Sequence, residues 1–292
     1  MKLLITGGSG FIGSALVRYL LDNTAHRVIN LDKLTYAASP AALAAYQHHP
    51  NYCFVQQDIC QREALDAIFR KHQPDAVMHL AAESHVDRSL AQPDLFIQTN
   101  VMGTACLLQA ACAYWQGLSV QRKAAFRLLH VSTDEVFGDL TGSDEKASEE
   151  SRYAPSSPYA ASKAAADHLL RAWQRSFGLP TVISHCTNNY GPWQHAEKLI
   201  PRCIQNALQG KPLPVYGNGT AVRDWLYVDD HVRALYKILC ESHAGESWNI
   251  SAGCEKTTLE VVHGICETLE ALVPEHPNAR SAENPKGFAG LI

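Results

Sequence analysis

The run Gly7-Gly8-Ser9-Gly10-Phe11-Ile12-Gly13 limits what this chain can fold into more than any other feature. It follows a short apolar segment, residues 2–6, and opens a helical pattern over 12–22. Glycines at 7, 10 and 13 place a sharp turn between a strand and a helix. The first permits backbone dihedrals that a side chain forbids. The second lets main chain approach a pyrophosphate, and the third lets helix and strand pack closely. The N–H groups of the new helix, from Phe11 and Ile12 onward, then point at an anion.

The rest of the first 186 residues repeats that unit. Strand patterns at 2–6, 27–31, 52–56, 75–80, 126–132 and 181–186 alternate with helical patterns near 12–22, 61–71, 93–116 and 158–177. Such alternation builds parallel βαβ units, with strands apolar on both faces. The fold class is α/β, a Rossmann-type parallel sheet with a smaller, loop-rich C-terminal lobe. Residues 1–186 are expected to form the nucleotide domain and 187–292 the second lobe. Helices are expected in that lobe near 197–209, 229–242 and 257–272. The acidic stretch 139–157 reads as an exposed loop, as does Gln121-Arg122-Lys123.

Composition narrows the partners. Hydrophobic residues make up 46% and charged residues 18%, with a formal net charge of -4. That balance opposes disorder and gives no basic footprint for nucleic acid. No run of about 18 apolar residues predicts a membrane span. Nine cysteines, an odd number with no CxxC pair, suit a reducing cytoplasm and give no zinc site.

Asp32 ends the second strand about twenty residues after the glycines. An acid there accepts from ribose hydroxyls and repels a 2′-phosphate, which favours NAD over NADP. Asp58 and Ile59 follow the third strand, where they could meet an adenine, or Asp58 could simply cap the next helix. Ala81 and Ala82, small residues after the fourth strand, leave room for a cofactor to cross the sheet.

Tyr159 and Lys163 stand one helical turn apart, on one face. A lysine near a tyrosine and a nicotinamide ring favours the phenolate, which makes a general base. Thr133 ends the fifth strand, followed by Asp134 and Glu135. Two adjacent acids could divide acid and base roles, or cap a helix. Glu83-Ser84-His85-Val86-Asp87-Arg88-Ser89 suits a sugar or phosphate, or a salt-bridged loop. Arg223 could grip a diphosphate in bidentate fashion, or pair with Asp224.

With these motifs the chain resembles the extended short-chain dehydrogenase/reductase group and, within it, the dTDP-glucose 4,6-dehydratases. The resemblance rests on Gly7–Gly13, Asp32-Lys-Leu-Thr-Tyr36, the 79–89 segment, Ser132-Thr-Asp-Glu135, Tyr159-x-x-x-Lys163, Asn188-Asn-Tyr-Gly-Pro192, Glu197-Lys-Leu-Ile-Pro201, and the 214–219 and 223–231 segments. It covers about residues 1–275.

The resemblance implies oxidation of a glucose at C4, elimination of water across C5–C6 and return of the hydride to C6, with NAD regenerated. Tyr159, Lys163 and Thr133 would serve the C4 hydroxyl, Glu135 the C5 proton, and Asp134, with a raised pKa, the leaving 6-OH. It adds Leu34, Thr35 and Thr99 to the cofactor residues. It implies Ser84, Asn188, Lys198, Leu199, Tyr216 and Arg223 as substrate residues, and a homodimer through a four-helix bundle of the 93–116 and 158–177 helices.

Departures from the family pattern include Phe137 for a tyrosine, His185 at the end of the sixth strand and Thr258 for an asparagine. The family also continues past residue 292 with an arginine that binds the diphosphate, so the second lobe is expected to be partial. The alternatives are another nucleotide-sugar enzyme, such as a 4-epimerase, or a weakly active or inactive NAD-binding homologue.

Overall fold

Leu3, Leu4 and Ile5 are fully buried in the first strand, which sits in the middle of a sheet covered on both faces. The structure is a computed structural model and describes residues 1–140, 146–215, 217–272 and 287–292. Ten strands run in chain order among the described residues: β1 (Lys2–Thr6), β2 (Arg27–Asp32), β3 (Tyr52–Gln56), β4 (Ala76–His79), β5 (Arg127–Thr133), β6 (Thr181–Cys186), β7 (Asn188–Tyr190), β8 (Val222–Tyr227), β9 (Ser247–Ile250) and β10 (Glu255–Thr257). The helices are α1 (Phe11–Asn23), α2 (Arg62–His72), α3 (Val86–Ala91), α4 (Pro93–Phe96), α5 (Thr104–Gln116), α6 (Val120–Ala125), α7 (Pro158–Phe177), α8 (Leu199–Leu208), α9 (Val228–Glu241) and α10 (Thr258–Leu272).

The chain divides into two units. One holds Met1–Cys186 and Val228–Ile250, the other Thr187–Tyr227 and Ser251–Ile292. Residues 228–250, expected in the second lobe, belong to the first unit. The reason is a strand pairing, since β9 joins β6 in parallel register, Ile183 opposite Ser247.

In the first unit the sheet order is β3-β2-β1-β4-β5-β6-β9, all parallel. The order reverses between β1 and β4, which is where such sheets bind ligands. Helix α2 shows why these segments become helices: Leu65, Ile68 and Phe69 form its buried stripe. Glu63 lies in its first turn and Arg70, Lys71 and His72 in its last, both matched to the helix dipole. At α7, the Ser157 hydroxyl accepts from the Ala160 N–H, Pro158 occupies the first turn, and Gly178 closes the helix at φ 74°.

Between α4 and α5 the helix widens into a π-helical stretch, Ile97–Gly103. The whole span Pro93–Gln116 is long and apolar enough to cross a membrane, and 56% of its most apolar window is buried. Its α5 part packs against α2 and α7. The Gln121–Lys123 segment is helical, in α6, because Arg122 donates to Asp75 at 3.2 Å and to the Tyr114 hydroxyl at 2.8 Å.

The second unit has a three-stranded sheet in order β10-β8-β7 and a core of Cys203, Ala207, Leu213, Val262, Cys266 and Phe288. Phe288 belongs to a short 3-10 turn, Phe288–Leu291, whose Leu291 carbonyl accepts from the Leu213 N–H at 2.8 Å.

Two buried imidazoles tie the stability of the first unit to pH. Burial pushes His79 down to about 3, assisted by the Lys163 charge, and burial alone does the same to His231. The unfolded chain takes up protons on both below about pH 6.5, and the folded chain only near 3. Stability is therefore full above the unfolded value and falls as the pH drops, by about 1.4 kcal/mol per pH unit for each imidazole. Urea unfolding is expected to give at least about 3–4 kcal/mol less stability at pH 5 than at pH 7 from these two rings, with His130, also buried and neutral, acting in the same direction. Equal values at the two pH values would mean that these rings are not held neutral.

Candidate active site

The glycine turn and the end of β4 meet at the reversal of strand order. A Cβ on Gly7, whose φ is 71°, would lie 2.6 Å from the Ala81 nitrogen. A Cβ on Gly13 would overlap the Gly7 carbonyl oxygen, and one on Gly8 the Asn30 side chain. The requirement at Gly10 is weaker, with the Gly7 oxygen 3.3 Å away. Gly10 precedes α1 with no side-chain cap, so the first N–H groups at Phe11 and Ile12 are not claimed by a capping side chain.

Asp32 is buried at the end of β2 and accepts from the Ser9 N–H at 2.9 Å and the Leu34 N–H at 2.8 Å. It therefore locks the glycine loop to β2 before any ligand is considered. Leu34 sits at φ 59°, an unusual conformation for leucine that this hydrogen bond helps hold. Thr35 follows in a turn closed by the Ala38 N–H.

Lys33 ties two other expected cofactor residues together, 3.6 Å from the Asp58 carboxylate and 3.3 Å from the Thr99 hydroxyl. Asp58 does not cap α2, whose N-cap is Gln61; it accepts from the Cys60 N–H at 2.9 Å. Ile59 is buried against Gly103 of the π-helical stretch. Ala82 follows Ala81, and Ser84 is exposed just before α3. A glycine cradle that a Cβ would fill, an uncapped helix start and a fixed acid on β2 together fit a dinucleotide.

The acid–base residues gather one strand away. Thr133 is the last residue of β5, and its hydroxyl accepts from the Glu135 N–H at 3.3 Å and donates to Asp134 at 3.2 Å. Asp134 and Glu135 open the short 3-10 turn Asp134–Phe137. The capping is done by Thr133, which leaves neither carboxylate needed for that task. Tyr159 is buried in the first turn of α7. Burial pushes its phenol well above the ordinary value; Glu135, Cys186 and Asp134 push the same way, and a hydrogen bond with Thr133 opposes them.

The phenolate expected from the sequence rests on a nicotinamide ring as well as on the lysine, and the raised phenol is the property of the chain alone. Lys163, 3% exposed, donates through Nζ to the Val131 carbonyl at 2.8 Å and lies 3.1 Å from His130 Nε2. Burial pulls this lysine down to about 8, against the raising effects of Asp167 and Cys186. In the chain by itself, burial of the phenol is the largest effect on Tyr159, and Glu135, Cys186 and Asp134 add to it.

Asn100 was not singled out in the sequence. Its amide accepts from the Glu83 N–H at 2.8 Å, donates to the Glu83 carbonyl at 2.9 Å and donates to Ser162 at 2.8 Å. Ser162 in turn donates to the Tyr159 carbonyl at 2.7 Å. Asn100 thus pins the loop after β4 to the first turn of α7. In the sequence Asn100 is one of three polar residues in a row, Gln98-Thr99-Asn100, with nothing to mark its burial or its partners.

In the second unit, Asn188 begins β7, Lys198 is the N-cap residue of α8, Leu199 starts that helix, and Arg223 lies on β8. Arg223 donates to its neighbour's carbonyl at 2.8 Å, whereas Asp224 accepts from the backbone N–H groups of Ala252, Gly253 and Cys254. Tyr216 lies outside the described residues.

A family profile described as GDP-mannose 4,6 dehydratase matches residues 4–285. The chain is 58% identical to a dTDP-glucose 4,6-dehydratase of Neisseria gonorrhoeae over 276 residues, which cover 94% of this chain and 80% of the relative. Among solved structures, dTDP-glucose 4,6-dehydratase of Bacillus anthracis in complex with NAD superposes with a TM-score of 0.84 at 40% identity, covering 92% of this chain and 81% of that one. The Streptomyces venezuelae dTDP-glucose 4,6-dehydratase, with NAD bound, gives 0.83 at 45% identity and the same coverage.

Proposed function

Because the chain belongs to the GDP-mannose 4,6 dehydratase family and, within it, to the dTDP-glucose 4,6-dehydratases, we propose that it is an NAD-dependent lyase that converts dTDP-glucose to dTDP-4-keto-6-deoxyglucose and water. The observation that carries this reading is the Thr133-Asp134-Glu135 triplet beside Tyr159, with no capping duty for either acid. A simple epimerisation has no use for two such carboxylates.

NAD, when bound, supplies a hydride acceptor for C4 and the same hydride for C6, so oxidation and reduction cancel. The glycine turn, Asp32 and the Asp58–Lys33–Thr99 group are proposed to hold it. The remaining chemistry is proton management. Tyr159 takes the proton of the 4-OH, with the Lys163 charge beside it and the Thr133 hydroxyl fixing the oxygen. The C4 carbonyl so formed acidifies the C5 proton, which Glu135 removes. Asp134 protonates the departing 6-OH, which leaves as water. Glu135 then returns a proton to C5 as C6 is reduced.

Ser84 is assigned to the sugar nucleotide. In the second unit, Asn188, Lys198, Leu199 and Tyr216 are assigned to it as well, and Arg223 to its diphosphate, which a guanidinium grips in bidentate fashion. The direct test is incubation of the purified chain with dTDP-glucose, followed by detection of the 4-keto sugar. Chain that binds NAD and yields no such product at millimolar substrate would overturn the reading.

The same proposal includes a homodimer through a four-helix bundle of Pro93–Gln116 and α7. In support, Ile97 and Met102 are 46% and 50% exposed on the first of these helices. Light scattering should then read twice 32.1 kDa, falling to one chain mass in an Ile97→Glu/Met102→Glu variant. A cytoplasmic setting is proposed as well, on the ground that all nine cysteines are unpaired.

A further inference from the structure

We propose that Asp167 is a positioning residue of this reaction: its buried carboxylate, facing Lys163 across His130, is the counter-charge that keeps the Lys163 ammonium in place beside Tyr159. The inference rests on the function proposed above. Tyr159, Lys163 and Asp167 follow one another at four-residue intervals, so one buried face of α7 carries all three. Asp167 is fully buried, which removes any contact with substrate from its role.

Its two oxygens have different surroundings. Oδ2 accepts from Ser132 at 2.8 Å and from the Tyr153 hydroxyl at 3.1 Å, and lies 3.3 Å from His185 Nε2. Oδ1 has no hydrogen-bond partner and faces His130 Nε2 at 3.5 Å. The same His130 nitrogen is 3.1 Å from the Lys163 ammonium. A neutral imidazole thus stands between a cation and an anion.

His130 cannot itself supply the charge, because burial and the Lys163 charge hold it neutral. The other titratable groups around the pair are accounted for element by element. β4 contributes His79, held neutral by burial. β6 contributes His185 and Cys186, of which Cys186 acts on Lys163 in the same sense as Asp167. The Tyr153 hydroxyl also receives a hydrogen bond from Arg171 of α7 at 3.0 Å, and Asp134 and Glu135 act on Tyr159 rather than on the lysine. Asp167 opposes the loss of the lysine's proton more strongly than Cys186 does. A buried cation without an opposite charge gives up its proton.

The experiment compares Asp167→Asn and Asp167→Glu with the parent over a range of pH. In the Asn variant the alkaline limb of kcat is expected to move down by about 1–3 pH units. At pH 7.5 kcat should fall about threefold for a movement of one unit and about twentyfold or more for two, while KM for dTDP-glucose stays within about twofold. The Glu variant keeps the charge and should recover most of the limb. A folded Asn variant with the parent's pH profile, or one altered in KM alone, would overturn the proposal. If the Asn variant does not fold, Lys163→Met/Asp167→Asn should fold, because the two charges leave together. A double variant as unfolded as the single one would equally overturn it. Failure of the parent to make the 4-keto sugar strikes the function itself, and is read separately from any of these results.

Discussion

Glu135→Gln is expected to stop dehydration while leaving cofactor affinity intact. The amide cannot take the C5 proton, and a positioned base contributes about 10²–10⁴-fold to such a step. Two readings should fall together by that factor: formation of the 4-keto-6-deoxy sugar, and incorporation of solvent deuterium at C5. The fold should not suffer, because the Thr133 hydroxyl caps the Glu135 N–H, which the substitution keeps. Undiminished dehydration by the Gln variant would place the base elsewhere, and the assignment of the acid pair would fail with it.

Gly13→Ala is expected to have the second large effect, on the cofactor rather than on the chemistry. Its new methyl would overlap the Gly7 carbonyl oxygen and lie 2.7 Å from the Gly8 Cα, both of them backbone. No side chain can swing aside to relieve that contact, so α1 and the loop must separate. Overpacking of this kind costs about 1–3 kcal/mol, and the anion cradle is lost with the geometry. A loss of about a hundredfold in NAD affinity corresponds to about 2.8 kcal/mol. The measurement is thermal unfolding with and without NAD, since a ligand that binds only the folded chain raises its apparent stability. Gly10→Ala, with 3.3 Å to the same oxygen, should keep more of the parent's stability without NAD than Gly13→Ala does, while its methyl still crowds the pyrophosphate. Equal behaviour of the two variants would show that closeness to the Gly7 carbonyl does not govern the site.

Much of this was legible in the residues. The glycine turn, Asp32 and Tyr159-x-x-x-Lys163 each combine a local geometry with a chemistry, and local geometry leaves a trace in sequence. The six strands of the nucleotide domain were apparent as short apolar runs between helical patterns, most clearly in Leu3–Ile5 and Ala76–Met78. β9 was not, because Ser-Trp-Asn-Ile carries no such pattern and its place depends on pairing with β6, sixty residues earlier. For the same reason nothing in 228–250 announced a return to the first unit.

The acid–base residues were legible by type, but their protonation was not. The spacing of Tyr159 and Lys163 suggested a phenolate. Desolvation and the neighbouring carboxylates, which depend on the packed interior, point the other way in the chain alone. Asn100 and His130 escaped notice because each acts through partners far away in sequence, Glu83 and Ser162 for one and Lys163 for the other.

The return of 228–250 also has a consequence for the order in which the protein is made. All six residues of β6 are buried in the finished sheet, and one of its edges is covered by β9. As the chain leaves the ribosome, that edge stays open from residue 186 until residue 250 arrives, roughly 3–13 s at about 5–20 residues per second. The open edge presents Thr-Val-Ile-Ser-His-Cys, an uncharged strand of the kind that pairs with neighbouring copies. The first unit therefore passes through an interval of its synthesis in which it has all its central strands and one uncovered inner edge.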